Sequence, residues 1–197
     1  QIDTAMRDFG FLGGPFEIVD VIGADTCMYA GRTMWESGLQ CVTLSPILPR
    51  MVKMGRLGRK TGVGFYRYPD PRGDAQWDEE LPELVASYVD ASATDLPKQN
   101  PKTQQTVITN QILAAIALEA THIIDEELVA DFRDIDLCVI HGFSFPQHRG
   151  GILFWADQVG LESVYRTLYD VAEQEPLMEP SQLLKNMRLE NKTFYSV

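Results

Sequence analysis

The stretch Gly55–Tyr68, which reads GRLGRKTGVGFYRY, decides how the rest of the sequence is interpreted. Its glycines enclose three basic residues and are followed by the aromatic residues Phe65, Tyr66 and Tyr68. Closely spaced glycines allow tight turns with positive φ, and aromatic residues favour extended backbone. We therefore predict that this segment, named the glycine hinge below, makes tight turns and ends in a short extended segment.

On both sides of the glycine hinge, apolar residues recur at the spacing of amphipathic helices. The strongest pattern is Thr103–Ile124, which has a wide apolar face. Cap and stop residues predict further helices: Ile2–Phe9, Pro15 to Gly23, Asp25 as N-cap to about Ser37, Ser45-Pro46 to Gly55, about Leu81–Val89, Phe132–His141 after the cap Asp131, about Leu161–Glu173 and about Pro180–Glu190. The sequence therefore predicts an all-α fold.

Composition narrows the possible function classes. The 197 residues are 45% hydrophobic, which is enough for a substantial core. With 28 acidic and 17 basic residues the formal net charge is -11, which disfavours general binding to nucleic acid or anionic membranes. The sequence shows no basic-then-apolar signal at its start and no uninterrupted apolar run of about 20 residues. We therefore expect no membrane span and a cytoplasmic location.

The cysteine pattern supports the same compartment. Cys27, Cys41 and Cys138 are odd in number and contain no C-x-x-C pair. This pattern argues against a disulfide framework and against a zinc site, and it is typical of a reducing compartment. We interpret the three cysteines as small core residues and expect no metal site.

Three short matches indicate an internal repeat. Ile2-Asp3 matches Ile135-Asp136, Asp20-x-x-Gly23 matches Asp157-x-x-Gly160, and Ile47-Leu48-x-x-Met51 matches Leu183-Leu184-x-x-Met187, at offsets of 133, 137 and 136. Because the matches occur in the same order and at similar spacing, we predict a duplicated helical domain. Residues 1–68 form the first repeat, residues 69–102 a linker with a short helix, and residues 103–197 the second repeat.

The two repeats differ at their start. The second repeat opens with the long helix Thr103–Ile124, but nothing before Gln1 corresponds to it. We therefore expect the chain to be truncated at its N-terminus, so that the first repeat lacks its long first helix. Its apolar helix faces need another cover, and we expect a homodimer or an interdomain contact.

The sequence resembles a known family at the same residues. GFLGGPFEIVDVIGADT followed by GRLGRKTGVGFYRY is similar to the C-terminal domain of 3-hydroxyacyl-CoA dehydrogenases. GFSFPQHRGGILFWADQVG is similar to the second copy of that domain in the alpha subunit of the multifunctional fatty-acid β-oxidation protein. The resemblance implies an all-helical duplicated domain, like the C-terminal domain of 6-phosphogluconate dehydrogenase, that follows an NAD-binding domain. The implied reaction is oxidation of L-3-hydroxyacyl-CoA to 3-ketoacyl-CoA.

The resemblance also implies where the chemistry lies. The family uses a His-Glu pair on the dinucleotide domain and an Asn at the start of the first long helix, and none of these falls within this sequence. No G-x-G-x-x-G motif after a strand is present, because GRKTGVG leads into aromatic residues instead of a helix. We therefore expect NAD to be bound by an upstream domain, and we expect no catalytic residue and no turnover in this chain alone.

Three residues, Gly14, Pro15 and Lys60, are candidates for acyl-CoA binding. The resemblance implies that the turn at Gly13-Gly14-Pro15 lies by the reacting end of the acyl chain, although Leu12-Gly13 replaces the usual proline-methionine. Lys60, with Arg59, is a candidate to contact the CoA phosphates or to position the acyl thioester. The alternatives are that Gly14 and Pro15 merely start the next helix and that Lys60 is a solvated loop charge.

Other polar residues have simpler explanations. Asn110 occupies in the second repeat the place of the catalytic Asn, but a packing role near a helix start is favoured. His141 and His148 have no carboxylate at motif spacing, so a helix-terminal and a loop position explain them better.

Two functions of different classes follow from these observations. The first is the substrate-side domain of a 3-hydroxyacyl-CoA dehydrogenase. The second is a non-catalytic helical scaffold or assembly module that is derived from such a domain.

Overall fold

The computed structural model describes residues 1–37, 46–70, 72–86 and 101–195. These residues form helices α1 (Ile2–Phe9), α2 (Pro15–Ile22), α3 (Ala24–Glu36), α4 (Ile47–Lys53), α5 (Leu81–Ala86), α6 (Pro101–Asp125), α7 (Arg133–Gly142), α8 (Ile152–Val159), α9 (Leu161–Ala172) and α10 (Gln182–Glu190). Short 3-10 turns lie at Arg59–Thr61, Gln147–Arg149 and Pro176–Met178. The described part of the chain contains no named strand, so the all-α prediction is confirmed.

The chain divides into two compact units. One unit contains Gln1–Leu12 and Pro101–Val197, and the other contains Gly13–Asn100. Helix α1 therefore groups with the helices of the second half, because it packs against α6. This division reflects which residues contact one another in the folded chain, whereas the predicted repeats reflect the order of motifs along the sequence.

The larger unit is built around α6. Leu113, Ala117 and Leu118 of α6 are buried, and they form one hydrophobic core with apolar residues of α8 and α9. Helices α1, α8, α9 and α10 all pack against α6. Small alanines at the contact let the neighbouring helices approach closely, which explains how one helix holds four partners.

Helix α6 also bears on the membrane prediction. Among the described helices, it alone is long and apolar enough to cross a membrane, over Lys102–Asp125. Length and hydropathy therefore do not distinguish α6 from a membrane span. It packs against α1, α8, α9 and α10, and 33% of its most apolar window is buried in the structure.

The smaller unit has a compact core of its own. Ala24 and Met51 are fully buried next to Phe65, whose ring centroid lies 4.5 Å from that of Phe16. The segment after the glycines forms only isolated antiparallel bridges, from Gly58 to Val63, from Val63 to Arg67 and from Arg67 to Gln76. The predicted extended segment is thus a set of bridges, and its aromatic residues close the core.

Several predicted details need correction. Asp25 is not the N-cap of α3, because Gly23 holds that position and Asp25 lies in the first turn. Asp131 precedes the N-cap Phe132 by one residue, although its carboxylate still accepts a hydrogen bond from the backbone N–H of Arg133. Helix α10 begins after Ser181, whose hydroxyl accepts a hydrogen bond from the N–H of Leu184. The proposed cap at Ser45 lies outside the described residues.

The prediction that the cysteines are small core residues is wrong for Cys138, which is exposed, and Cys27 is only half-buried. Cys41 lies outside the described residues.

Candidate functional site

The glycine hinge folds around the carboxylate of Asp20, which is 1% exposed at the end of α2. The carboxylate accepts hydrogen bonds from the backbone N–H groups of Phe65 at 2.8 Å and Tyr66 at 2.9 Å. The hydroxyl of Tyr68 donates a third, at 3.0 Å. We name this arrangement the Asp20 hydrogen-bond network. It fixes the aromatic segment to α2 over 45 or more residues of sequence separation.

The close approach to Asp20 explains why the hinge needs glycine. A Cβ atom added to Gly64 would lie 1.9 Å from Oδ1 of Asp20. A Cβ atom added to Gly58, which has a φ of +96°, would lie 2.2 Å from the carbonyl oxygen of Asp20. A side chain at either position would therefore clash with Asp20, and at Gly58 the positive φ also favours glycine.

The pKa shifts in the Asp20 hydrogen-bond network indicate that Asp20 has a structural role. Burial raises the pKa of Asp20 above its ordinary value, and the hydrogen bonds from Phe65, Tyr66 and Tyr68 partly offset this rise. Burial and the neighbouring Asp20 carboxylate also raise the pKa of Tyr68. Because three donors already bind the carboxylate, this group holds backbone in place and has little capacity to take part in proton transfer.

The buried guanidinium group of Arg56 joins two segments of the smaller unit. Nη2 of Arg56 donates to the carbonyl oxygen of Gly64 at 2.7 Å, and the same guanidinium forms an ion pair with the fully buried Asp78. Nε of Arg67 donates to the other oxygen of Asp78 at 2.8 Å. Burial opposes ionisation of Asp78, but the hydrogen bonds from Arg56 and Arg67 hold its pKa below the ordinary value.

The second half contains a related arrangement. Asp157 accepts hydrogen bonds from the backbone N–H groups of Phe194 at 3.0 Å and Tyr195 at 2.8 Å. This repeats the contact of Asp20 with the Phe65-Tyr66 pair. Asp136 accepts from the N–H groups of Leu153 and Phe154 and from the hydroxyl of Tyr195, at 2.8, 3.1 and 2.8 Å. An aspartate at the end of an eight-residue helix thus fixes a Phe-Tyr pair in both halves.

The predicted substrate turn begins α2. Gly14 is the N-cap of the helix and Pro15 is its first residue. The carboxylate of Glu17 accepts a hydrogen bond from the N–H of Gly14 at 2.9 Å, which satisfies a donor at the helix start. These contacts explain the turn by helix initiation alone.

Lys60 lies at the other end of the same helix. Its ammonium group forms an ion pair with Asp25, and a Cβ atom added to Gly23, the residue that ends α2, would lie 2.7 Å from Nζ. Hydrogen bonding from Lys60 lowers the pKa of Asp25. A helix rises about 1.5 Å per residue, so Pro15 and Lys60 are separated by about 10 Å along α2. The structure does not bring the predicted substrate residues together.

The remaining candidates are Arg59, His141 and His148. Nη1 of Arg59 donates to the carbonyl oxygen of Gly73 at 2.9 Å, and its guanidinium lies 4.4 Å from the ring centroid of Tyr68. His141 and His148 are both exposed. Across the ranges that the structure describes, no cluster of His, Cys, Asp or Glu residues could hold a metal ion.

Comparison with known proteins identifies the family. The family model described as 3-hydroxyacyl-CoA dehydrogenase, C-terminal domain, matches residues 1–68 and 107–194. The chain belongs to this family. The matches fall on both halves of the chain; the first contains the contact of Asp20 with Phe65 and Tyr66, and the second contains the contact of Asp157 with Phe194.

Similar full-length proteins carry related names. The peroxisomal bifunctional enzyme of Danio rerio is 33% identical over 95% of this chain and 28% of its own length. The fatty acid oxidation complex subunit alpha of Acinetobacter baumannii is 28% identical over 99% of this chain and 27% of its own length. This family domain thus spans just over a quarter of the curated relatives that it matches.

Solved structures agree with the fold. The dehydrogenase part of multifunctional enzyme 1 from C. elegans has a TM-score of 0.66 and 26% identity, and covers 94% of this chain and 41% of that one. The 3-hydroxybutyryl-CoA dehydrogenase of Escherichia coli has a TM-score of 0.70 at 20% identity, and covers 96% of this chain and 54% of that one. At this identity the second likeness supports the fold alone.

Sequence reasoning missed the role of Asp20. The signal was present, because Asp20-x-x-Gly23 and Asp157-x-x-Gly160 were matched as a repeat. Both glycines end their helices with positive φ, and both aspartates bind the backbone of a distant Phe-Tyr pair. The match thus indicates that the two aspartates share a role, but a short polar residue near a helix end does not identify its distant partner.

Proposed function

We propose that this chain is the substrate-side domain of an NAD-dependent 3-hydroxyacyl-CoA dehydrogenase of fatty-acid β-oxidation, which oxidises L-3-hydroxyacyl-CoA to 3-ketoacyl-CoA. The observation that carries the proposal is the family match at residues 1–68 and 107–194. The name of the Acinetobacter baumannii relative, fatty acid oxidation complex subunit alpha, supports the same pathway.

The cofactor is proposed to bind to another domain of the full-length enzyme. The glycine hinge does not fit a dinucleotide phosphate, because Gly64 packs against the carboxylate of Asp20, Gly58 packs against the Asp20 carbonyl oxygen, and the chain continues into bridged aromatic residues instead of a helix. A buried carboxylate at this position would repel a phosphate. We therefore assign NAD to an upstream domain, and assign no catalytic residue to this chain.

The proposed contacts with acyl-CoA are Gly14 and Pro15 for the acyl thioester and Lys60 for the CoA phosphates. In the full-length enzyme, Lys60→Gln should raise KM for a 3-hydroxyacyl-CoA by about three- to tenfold with little change in kcat, as expected for loss of one charged contact. Arg32→Gln is the matched control, because Arg32 is an exposed cation that pairs with Glu36 on α3. Equal KM values for the two variants would remove Lys60 from the proposed site.

The central experiment compares hydride transfer to NAD by the full-length enzyme and by this chain, with a 3-hydroxyacyl-CoA as substrate. We expect formation of NADH only with the full-length enzyme, because the base and the oxyanion donors are proposed to lie outside the chain. Turnover by the isolated chain would overturn this division of roles.

A scaffold or assembly module is the second candidate function. It is favoured by one observation, that Lys60 is engaged by Asp25 at the end of α2 opposite to Gly14 and Pro15. A full-length protein that lacks dehydrogenase activity but requires this domain for assembly would support it. Activity together with a Lys60→Gln effect on KM would exclude it.

The proposed organisation is a duplication, with repeats at residues 1–68 and 103–197 and a linker at 69–102. The paired aspartate contacts support this assignment. We further propose a homodimer or interdomain contact that covers the first repeat. The proposed location is cytoplasmic, with the peroxisome as the alternative that the names of several relatives support.

A further inference from the structure

An open cleft of about 400 Å³ lies in the unit formed by Gln1–Leu12 and Pro101–Val197. One wall is the first half of α6, which contributes Lys102, Gln105, Thr109 and Asn110. Residues three and four apart lie on the same side of a helix, so these polar side chains face the cleft together. The opposite wall is α1, and Arg149 from the turn before α8 completes the lining.

Arg149 is held in a fixed orientation. Its Nε donates to the carbonyl oxygen of Phe9 at 3.0 Å, and its guanidinium lies 3.9 Å from the centroid of the Phe9 ring. Within the described ranges, the terminal nitrogens of Arg149 make no hydrogen bond. A guanidinium that is held by Nε and by stacking presents those terminal donors at low entropic cost.

The charge of the cleft is opposite to that of the chain. Arg149 and Lys102 contribute two positive charges and Asp8 contributes one negative charge. The lining is thus net positive in a chain whose formal net charge is -11. Gln105, Thr109 and Asn110 add neutral hydrogen-bond donors beside the cations.

We infer that this cleft binds a small oxyanion, a phosphate or a carboxylate, through the terminal nitrogens of Arg149. The neighbouring amide and hydroxyl groups of α6 bind the polar part of the same molecule. The inference does not depend on the proposed dehydrogenase function, since it concerns binding by this chain alone.

Isothermal titration calorimetry on the full 197-residue chain tests the inference. The probes are inorganic phosphate, adenosine 3',5'-bisphosphate and butyrate, which separate phosphate from carboxylate as the preferred group. We expect saturable binding of at least one probe that weakens as salt is added. Arg149→Gln should weaken it about tenfold or more, because a charge-assisted hydrogen bond is lost.

Two further variants separate binding from folding. Asp8→Asn removes the opposing carboxylate and should strengthen binding by about two- to fivefold, which a merely misfolded protein would not do. Arg166→Gln is the matched control, because Arg166 is exposed and pairs with Glu162 on α9. No saturable binding of any probe, or binding that is equal in Arg149→Gln and Arg166→Gln, would overturn the inference.

Discussion

At the scale of single residues, Asp20 shows how one buried carboxylate organises a segment that is distant in sequence. It is 1% exposed, and its hydrogen bonds come from two backbone N–H groups and the Tyr68 hydroxyl. Backbone donors that lose their acceptor in a buried site cost more than an average hydrogen bond contributes. The carboxylate is therefore expected to dominate the stability of the smaller unit.

Asp20→Asn should lower the free energy of unfolding by about 2–3 kcal/mol. The amide group replaces one acceptor oxygen by a donor, which then faces an N–H or O–H group. Urea unfolding followed by circular dichroism measures the change. Asp170→Asn, at an exposed position of α9, is the control and should change stability by less than about 0.5 kcal/mol. Equal stability of the two variants would contradict the structural role of Asp20.

Gly64→Ala should destabilise the protein by more than about 3 kcal/mol, because its Cβ would meet Oδ1 of Asp20 at 1.9 Å. The matched control is Gly31→Ala in the middle of α3, where nothing lies within 4 Å of the added Cβ. Alanine has the higher helix propensity, so this control should gain up to about 1 kcal/mol. Thermal melting of both variants should shift in opposite directions. Shifts of the same sign would show that Asp20 does not approach Gly64 so closely.

At the scale of elements, the hinge and the turn after it are joined by the Arg56–Asp78–Arg67 ion pairs. Asp78 is fully buried and its pKa is lowered by these partners. Its contribution to stability is therefore present above the unfolded pKa of about 3.9 and is lost as pH falls through the lower folded value. Asp20, with a raised pKa, has the opposite sign and favours folding at low pH.

Asp78→Asn should cost about 3 kcal/mol at neutral pH, because it removes the buried anionic partner of Arg56 and leaves only the exposed Glu80, at 3.4 Å. The difference in the free energy of unfolding between the variant and the parent chain should shrink as pH falls below about 4, because Asp78 is protonated there in the unfolded chain and only at lower pH in the folded chain. Urea unfolding at neutral and acidic pH checks both statements. A difference that stays constant with pH would show that ionised Asp78 does not stabilise the fold.

The elements also show what could be read from the sequence. Helices α1, α2, α6 and α9 begin and end close to the predicted residues, because apolar spacing and glycine stops are local signals. The Asp20 hydrogen-bond network and the Arg56–Asp78 ion pair join residues that are far apart in sequence. No local pattern specifies those partners. The cleft beside α6 was missed for the same reason, since Arg149 and α6 meet only in the folded chain.

At the scale of the whole molecule, the predicted repeats and the compact units are different divisions. Helix α1 belongs to the predicted first repeat but packs on α6, the long helix of the second half. Helix α6 also covers α8, which matches α2 at an offset of 137 residues in the predicted duplication. Accordingly Trp155 of α8 is 6% exposed, whereas its counterpart Ile18 of α2 is 42% exposed.

This difference leads to a prediction about association. Val21 and Ile22 of α2 are 65% and 51% exposed, and apolar surface of this kind usually finds a partner. We expect the isolated chain to bind an apolar dye and to associate with increasing concentration in light-scattering chromatography. A Val21→Asn, Ile22→Asn double variant should reduce both effects, whereas Leu189→Ser, at a 78% exposed position of α10, should not. A monomer that binds no dye at any concentration would show that this face needs no partner.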